Sequence, residues 1–145
     1  MIENLKIELV NSFDSTLIEP ISRMLHQLTG REQLFGEEQL RALMHDMSCR
    51  LFIARCEGDV VGMFSLCTYS SPSMRKVWLE DVVVDNHYRG KGIGRAMVAY
   101  AINFARQLSP CTLMLTSNPQ REAANALYRS MGFEQKVTNV YKIDF

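Results

Sequence analysis

Residues 77–105, VWLEDVVVDNHYRGKGIGRAMVAYAINFA, constrain this chain more than any other stretch, because strand, glycine-rich turn and helix follow one another without a gap. Residues 77–85 are dense in β-branched side chains and predict a buried strand. Ile93, Met97, Ala101 and Phe104/Ala105 recur at helical spacing, which predicts a helix starting near Gly92. Between them stands Arg89-Gly90-Lys91-Gly92-Ile93-Gly94. Alternating glycines let successive backbone N–H groups turn to one side without Cβ clashes. The helix start adds unpaired donors and a partial positive charge, and Arg89, Lys91 and Arg95 add full ones. A pyrophosphate is the natural guest of such a junction.

Two nucleotide-binding patterns fail on detail. A P-loop needs Gly-Lys followed by Ser or Thr, and Lys91 is followed by Gly92. A dinucleotide fingerprint needs G-x-G-x-x-G and an acid ending the next strand. Here the spacing is G-x-G-x-G, and the next strand, 112–116, runs into Ser117-Asn118. A bland alternative is a glycine-rich loop with solvated basic residues.

Arg89-x-x-Gly92-x-Gly94, after a strand containing Trp78-Leu79-Glu80, resembles the acyl-CoA pyrophosphate loop of the GNAT family of N-acetyltransferases. Downstream, Ala124, Leu127, Tyr128, Gly132 and Phe133 match that family's closing motif, A-x-x-[LF]-Y-x-x-x-G-F, and the resemblance covers most of 51–145. It implies acetyl-CoA as co-substrate, with Arg89, Gly90, Lys91, Gly92, Ile93, Gly94 and Arg95 around the pyrophosphate; the wide spacing of the cysteines, with no C-x-x-C pair, argues for no metal. It also implies that Val82, Val83 and Val84 splay from residues 115–117, so that their backbone groups pair with pantetheine, the Val82 N–H polarising the thioester carbonyl. Many relatives carry Asn seven residues before the tyrosine, where this chain has Arg121; Asn118, the preferred substitute, or Asn125 would make that contact.

Two side chains are candidates for proton transfer. Glu80 lies in a strand otherwise dominated by Val, Leu and Trp, where desolvation raises a carboxylate toward the range of a general base. Amine acetylation needs one, because only the neutral amine attacks. Glu80 also stands nine residues before Arg89, where many family members place a base that often works through water. Strand alternation puts it on the face of Trp78, Val82 and Val84, with Asp81 opposite unless a bulge intervenes. Tyr128 matches the family's tyrosine that protonates the departing thiolate. The plain alternatives are a structural or substrate-binding carboxylate and a tyrosine packed on the sheet. With no motif-supported Cys or Ser nucleophile, direct transfer is expected.

With 145 residues, one domain spanning 1–145 is expected. The net charge is zero, from 16 basic and 16 acidic residues, which argues against a nucleic-acid or membrane-surface binder. Cys49, Cys56, Cys67 and Cys111 form no C-x-x-C pair and read as thiols of a reducing cytoplasm. His26, His45 and His87 are scattered.

Along the chain, residues 5–10 alternate as a strand, and Asp14 or Ser15 caps a helix that Gly30 ends. A second helix is expected over 37–47, with Leu40, Leu43, Met44 and Met47 inward. Residues 50–56 and 60–69 should form a hairpin, 112–116 a strand, 120–131 a helix closed by Gly132, and 134–145 one or two strands. The order is β-α-α-β-β-β-α-β-α-β: an α/β domain, a mixed sheet with helices on both faces, matching the single-domain acyl-CoA N-acyltransferase fold that the resemblance implies. The acceptor would be a small-molecule amine or a peptide N-terminus. Residues 137–145 are similar to the closing segment of compact family members whose final strands help form a dimer, so a homodimer is expected. The competing reading is a non-catalytic acyl-CoA-binding or regulatory module of the same fold.

Overall fold

A computed structural model describes residues 2–145. Strands β1 (Leu5–Leu9), β2 (Cys49–Cys56), β3 (Asp59–Ser70), β4 (Arg75–Val84) and β5 (Thr112–Met114) lie in one sheet in sequence order. The first four pair antiparallel, and β5 joins β4 in parallel. Helices α1 (Ile18–Thr29) and α2 (Glu37–His45) cover one face, α3 (Ile93–Gln107) covers the other, and α4 (Glu122–Ser130) follows β5. The α/β class, mixed sheet and two-sided helical cover are as expected.

Period-two alternation decides which helix each strand residue meets. Leu51, Ile53 and Met63 pack with Ile21, Met24 and Leu40 of α1 and α2. Their neighbours Phe52, Ala54 and Phe64 pack with Ile93, Met97 and Ala101 of α3. Phe52 stacks on Phe64 with ring centroids 5.0 Å apart. At Gly62, α3 comes so close that an added Cβ would lie 2.9 Å from Met97 Sδ and 3.2 Å from the Val83 carbonyl.

Several boundaries differ from expectation, most by one or two residues. Helix α2 stops at His45, because the Asp46 carboxylate accepts from the Ser48 N–H at 3.0 Å and turns the chain into β2. Met47 is therefore exposed rather than inward. Strand β4 begins at Arg75, and β5 ends at Met114. Residues 134–145 pair with no strand, so the final β of the expected order is missing from the ladder.

A bulge in β4 reassigns its faces. Met63 opposes Val83, yet Ser65 opposes Glu80, so β4 carries one residue more than β3 across that interval. Asp81 absorbs it in a left-handed conformation, φ +50°. Val83 then packs on the α1–α2 side, while Val82 and Val84 pack on the α3 side. Glu80 thus does not share a face with Val82 and Val84.

Past the end of β4, Asp85 fixes the approach to the glycine turn. It is 2 % exposed, accepts from Arg23 Nε at 2.9 Å and from the His87 N–H at 3.1 Å, and faces the His87 ring at 3.2 Å. Burial alone would raise its carboxyl, but the His87 amide, the Arg23 guanidinium and the His87 ring outweigh it and hold it low. Gln27 Oε1 accepts from the next amide, Asn86, at 2.9 Å, tying the turn to α1 twice.

Asp85→Asn should lower the unfolding free energy in urea at pH 7 by about 2 kcal/mol. A carboxyl depressed in the folded state stabilises above its unfolded value and loses that contribution as pH falls through the folded one. The gap between wild type and variant should hold from about pH 7 to 5 and close below about pH 4.

Candidate active site

The turn between β4 and α3 is built to leave amides unpaired. Gly90 and Gly92 hold φ of +78° and +83°, a left-handed region that favours glycine. The N–H groups of Gly90, Lys91, Gly92, Ile93, Gly94 and Arg95 meet no acceptor among the described residues; the first helical bond here is Ala96 N–H to the Gly92 carbonyl, 3.1 Å. Three cations flank them in tethered poses. Arg89 donates to the Val84 carbonyl at 3.2 Å, Lys91 Nζ lies 5.4 Å from the Tyr88 ring centre, and Arg95 donates to Ser130 Oγ at 3.1 Å. Unpaired donors, a helix start and three positive charges in one place suit a doubly charged anion.

The sheet opens beside this turn. Strands β4 and β5 pair only at Lys76–Thr112, Val77–Leu113 and Trp78–Met114. Beyond Trp78, β4 continues to Val84 with no ladder partner on that side, and residues 115–117 run on unpaired. The backbone of Val82, Val83 and Val84 therefore borders a slot that leads to the Arg89–Gly94 turn.

Glu80 stands two residues into the slot, and the bulge delivers it and Asp81 to one cavity of about 220 Å³ under α1 and α2. Both carboxylates reach solvent, and partial desolvation against the cavity wall raises Glu80 above its ordinary value, with the Asp81 charge adding to it, and raises Asp81 as well. Neither carboxylate has a salt-bridge partner among the described residues. Cys49 and Cys67, paired across β2 and β3, line the same cavity with sulfurs 3.0 Å apart. Burial, then Cys49, pushes the Cys67 thiol up to about 12, so it is protonated at neutral pH and a poor nucleophile.

Tyr128 lies on the other side of the slot, on α4, in a groove shared with Leu115, Thr116, Ser117 and Asn125. It is buried, packs edge-on to Phe133 at 5.9 Å, and its hydroxyl has no hydrogen bond among the described residues. Burial raises its phenol, against a smaller lowering by Arg121, so the proton stays on at neutral pH. Ser117 Oγ, in the same groove, is buried without a partner.

The two asparagines hold each other's turn. Asn118 Oδ1 accepts from the Gln120 N–H at 2.9 Å, and Asn125 Nδ2 donates to the Asn118 carbonyl at 3.0 Å. Asn125 lines the groove while making this bond. Sequence reasoning overlooked the Asp85 anchor and the cavity thiols. The anchor had a readable signal, an acid at a strand end two residues before a polar turn residue; the thiols had none, because they meet only through strand pairing.

A family model described as the acetyltransferase (GNAT) family matches residues 18–133. Streptothricin acetyltransferase of Streptomyces lavendulae is 37% identical over 89 residues, 61% of this chain and 46% of that protein. N-acetyltransferase 8 of Homo sapiens is 33% identical over 90 residues, 61% of this chain and 39% of that protein. The matched region thus spans less than half the length of these curated relatives. Among solved structures, an aminoglycoside acetyltransferase from an uncultured soil metagenomic sample, in complex with trehalose, superposes with TM-score 0.80 at 20% identity, covering 97% of each chain. A ribosomal-protein-alanine N-acetyltransferase from Brucella melitensis biovar Abortus 2308 superposes with TM-score 0.76 at 20% identity, covering 97% of this chain and 99% of that one. At such identity these two speak for the fold.

The glycines divide into two kinds. Gly92→Ala places a side chain at φ +83°, and relief of that strain should re-aim the amides, weakening CoA at least about tenfold in calorimetry. Gly94→Ala puts its Cβ 3.5 Å from Leu127 Cδ2, an ordinary contact, and should leave CoA affinity within about twofold.

Proposed function

The chain belongs to the acetyltransferase (GNAT) family, and we propose that it moves an acetyl group from acetyl-CoA to a primary amine by direct transfer. One observation carries the reading: the unpaired amides from Gly90 to Arg95 adjoin a slot with a raised carboxylate on one side and a buried, protonated phenol on the other. In this reading the amides, with Arg89, Lys91 and Arg95, hold the pyrophosphate. The Val82, Val83 and Val84 backbone aligns the pantetheine arm, and Asn125 or Asn118 steadies it from across the groove.

Glu80 accepts a proton from the acceptor ammonium, directly or through water, so the neutral amine can attack. A nitrogen–carbon bond forms to the acetyl carbonyl, whose oxygen is held by the Val82 N–H. The carbon–sulfur bond breaks, the sulfur keeps the electron pair and takes the Tyr128 proton, and the second proton shed by the nitrogen as the amide forms restores the phenol by way of solvent. The raised Cys67 thiol supports direct transfer over a cysteine-bound intermediate. A small-molecule amine and a peptide N-terminus are both acceptors of this chemistry. A cytoplasmic location belongs to the reading, supported by the four free thiols; among the described residues no helix is long and apolar enough to cross a membrane.

A homodimer also belongs to it, and the support is physical. Val137, Tyr141, Ile143 and Phe145 are exposed, alternate with polar residues from Tyr141 on, and pair with no strand. The groove of about 1310 Å³ beside β5 is bordered by this same segment and left unfilled by it. Exchange of residues 137–145 between two copies would cover both edges in a closed, symmetric pair.

A base works deprotonated, so kcat/KM should fall as pH drops through the raised Glu80 value, placing the acid limb above the ordinary 4.5. Glu80→Gln should remove that limb and cost about 10²–10⁴ in rate. Tyr128→Phe should lower kcat while CoA affinity holds, and an unchanged rate would take Tyr128 out of the mechanism. Tight CoA binding with no amine accelerating thiol release would favour the non-catalytic module instead. For the dimer, light scattering should give twice 16.6 kDa for the chain and a single mass for a variant truncated after Gln135. A full chain that stays monomeric at about 100 μM, well above the Kd of standard-sized interfaces, would contradict it.

A further inference from the structure

The cavity under α1 and α2 has two unlike ends. Ile21, Leu25, Phe35, Leu43, Leu51 and Met63 form an apolar body, drawn from both helices, the loop between them and the sheet. Glu80 and Asp81, on the strand that borders the slot, form the other end with Ser65 and the Cys49 and Cys67 thiols, and both carboxylates reach solvent. The bulge brings these two carboxylates together, and no lysine or arginine among the described residues pairs with either. Asp85, by contrast, is paired with Arg23, Glu8 with Arg55 and Glu37 with Arg41. The space left over, about 220 Å³, compares with the roughly 150 Å³ of an apolar cavity that takes up benzene.

We infer that the acceptor is a compact primary alkyl- or arylalkylamine, its ammonium set against Glu80 and Asp81 and its apolar body among Leu25, Phe35 and Leu43. The inference rests on the acetyl-transfer reading and narrows it. One cation meets the two carboxylates at the slot, where its nitrogen must lie to be acetylated. The rest of the acceptor then faces six apolar side chains. A sugar amine would lose water from several hydroxyls against walls whose polar groups, besides the two carboxylates, are one hydroxyl and two thiols, and a polycation would press its remaining charges into the same walls. A body of about one aromatic ring fills the volume.

The test is a panel read by thiol release from acetyl-CoA, with CoA binding measured separately by calorimetry. 3-Methylbutylamine, benzylamine and phenethylamine should give kcat/KM at least about 100-fold above glucosamine and kanamycin. Equal or faster turnover of glucosamine or kanamycin overturns the inference and leaves acetyl transfer standing. CoA binding with silence from every amine overturns both. Leu43→Asn should raise KM for the best apolar amine about tenfold, with kcat and CoA affinity unchanged. An unchanged KM removes the apolar body from this cavity and overturns the inference.

Discussion

A run of six backbone N–H groups, Gly90 to Arg95, that no acceptor among the described residues satisfies is the constraint on which the rest depends. Unpaired backbone donors are costly unless water or a ligand meets them, and here they sit at the start of a fifteen-residue helix. Left-handed glycines at 90 and 92 aim the run, and the flanking cations are held aside on Val84, Tyr88 and Ser130. The approach is fixed from below by Asp85, whose buried carboxylate binds α1 through Arg23 and the turn through His87. An anion docked on these amides enters a site whose geometry is already set, so little ordering opposes binding.

The same strand that feeds the turn also sorts the chemistry. One additional residue, held at Asp81 in a left-handed conformation, sends Val82 and Val84 to the α3 side and keeps Glu80 and Asp81 over the cavity. The β4–β5 pairing ends at Trp78–Met114, two residues before Glu80, and leaves the backbone of 82–84 unladdered on that side. Carboxylate, open backbone and anion turn are therefore consecutive features of one strand. Tyr128 comes from a different element, α4, and faces the groove across the residues that continue β5.

What the sequence makes legible is what is local. Glycines at 90 and 92 announce positive φ, the Ile93–Met97–Ala101–Ala105 spacing announces a helix that buries all four, and an acid in a strand dominated by Val, Leu and Trp announces Glu80. The bulge is not local, because register is set by the partner strand: Met63 and Ser65 fix it, and nothing in 77–85 shows that Asp81 will be extra. The same holds for Cys49 and Cys67, eighteen residues apart and neighbours only across a hairpin. Asn118 and Asn125 look like cofactor contacts by spacing, yet each also serves the turn before α4, a competition that side-chain type cannot reveal. The alternation from Tyr141 on is readable as a strand, but a ladder needs a second strand, and none among the described residues supplies it.

The claim that these amides are the anchor is tested most directly by a ¹⁵N amide titration with CoA, repeated with the phosphate-free pantetheine. With CoA, the Gly90, Lys91, Gly92 and Gly94 resonances should move downfield together and saturate at one stoichiometric equivalent. Pantetheine should leave them in place while perturbing Val82 and Val84. Saturation by CoA with these four amides unmoved would place the pyrophosphate elsewhere and contradict the account.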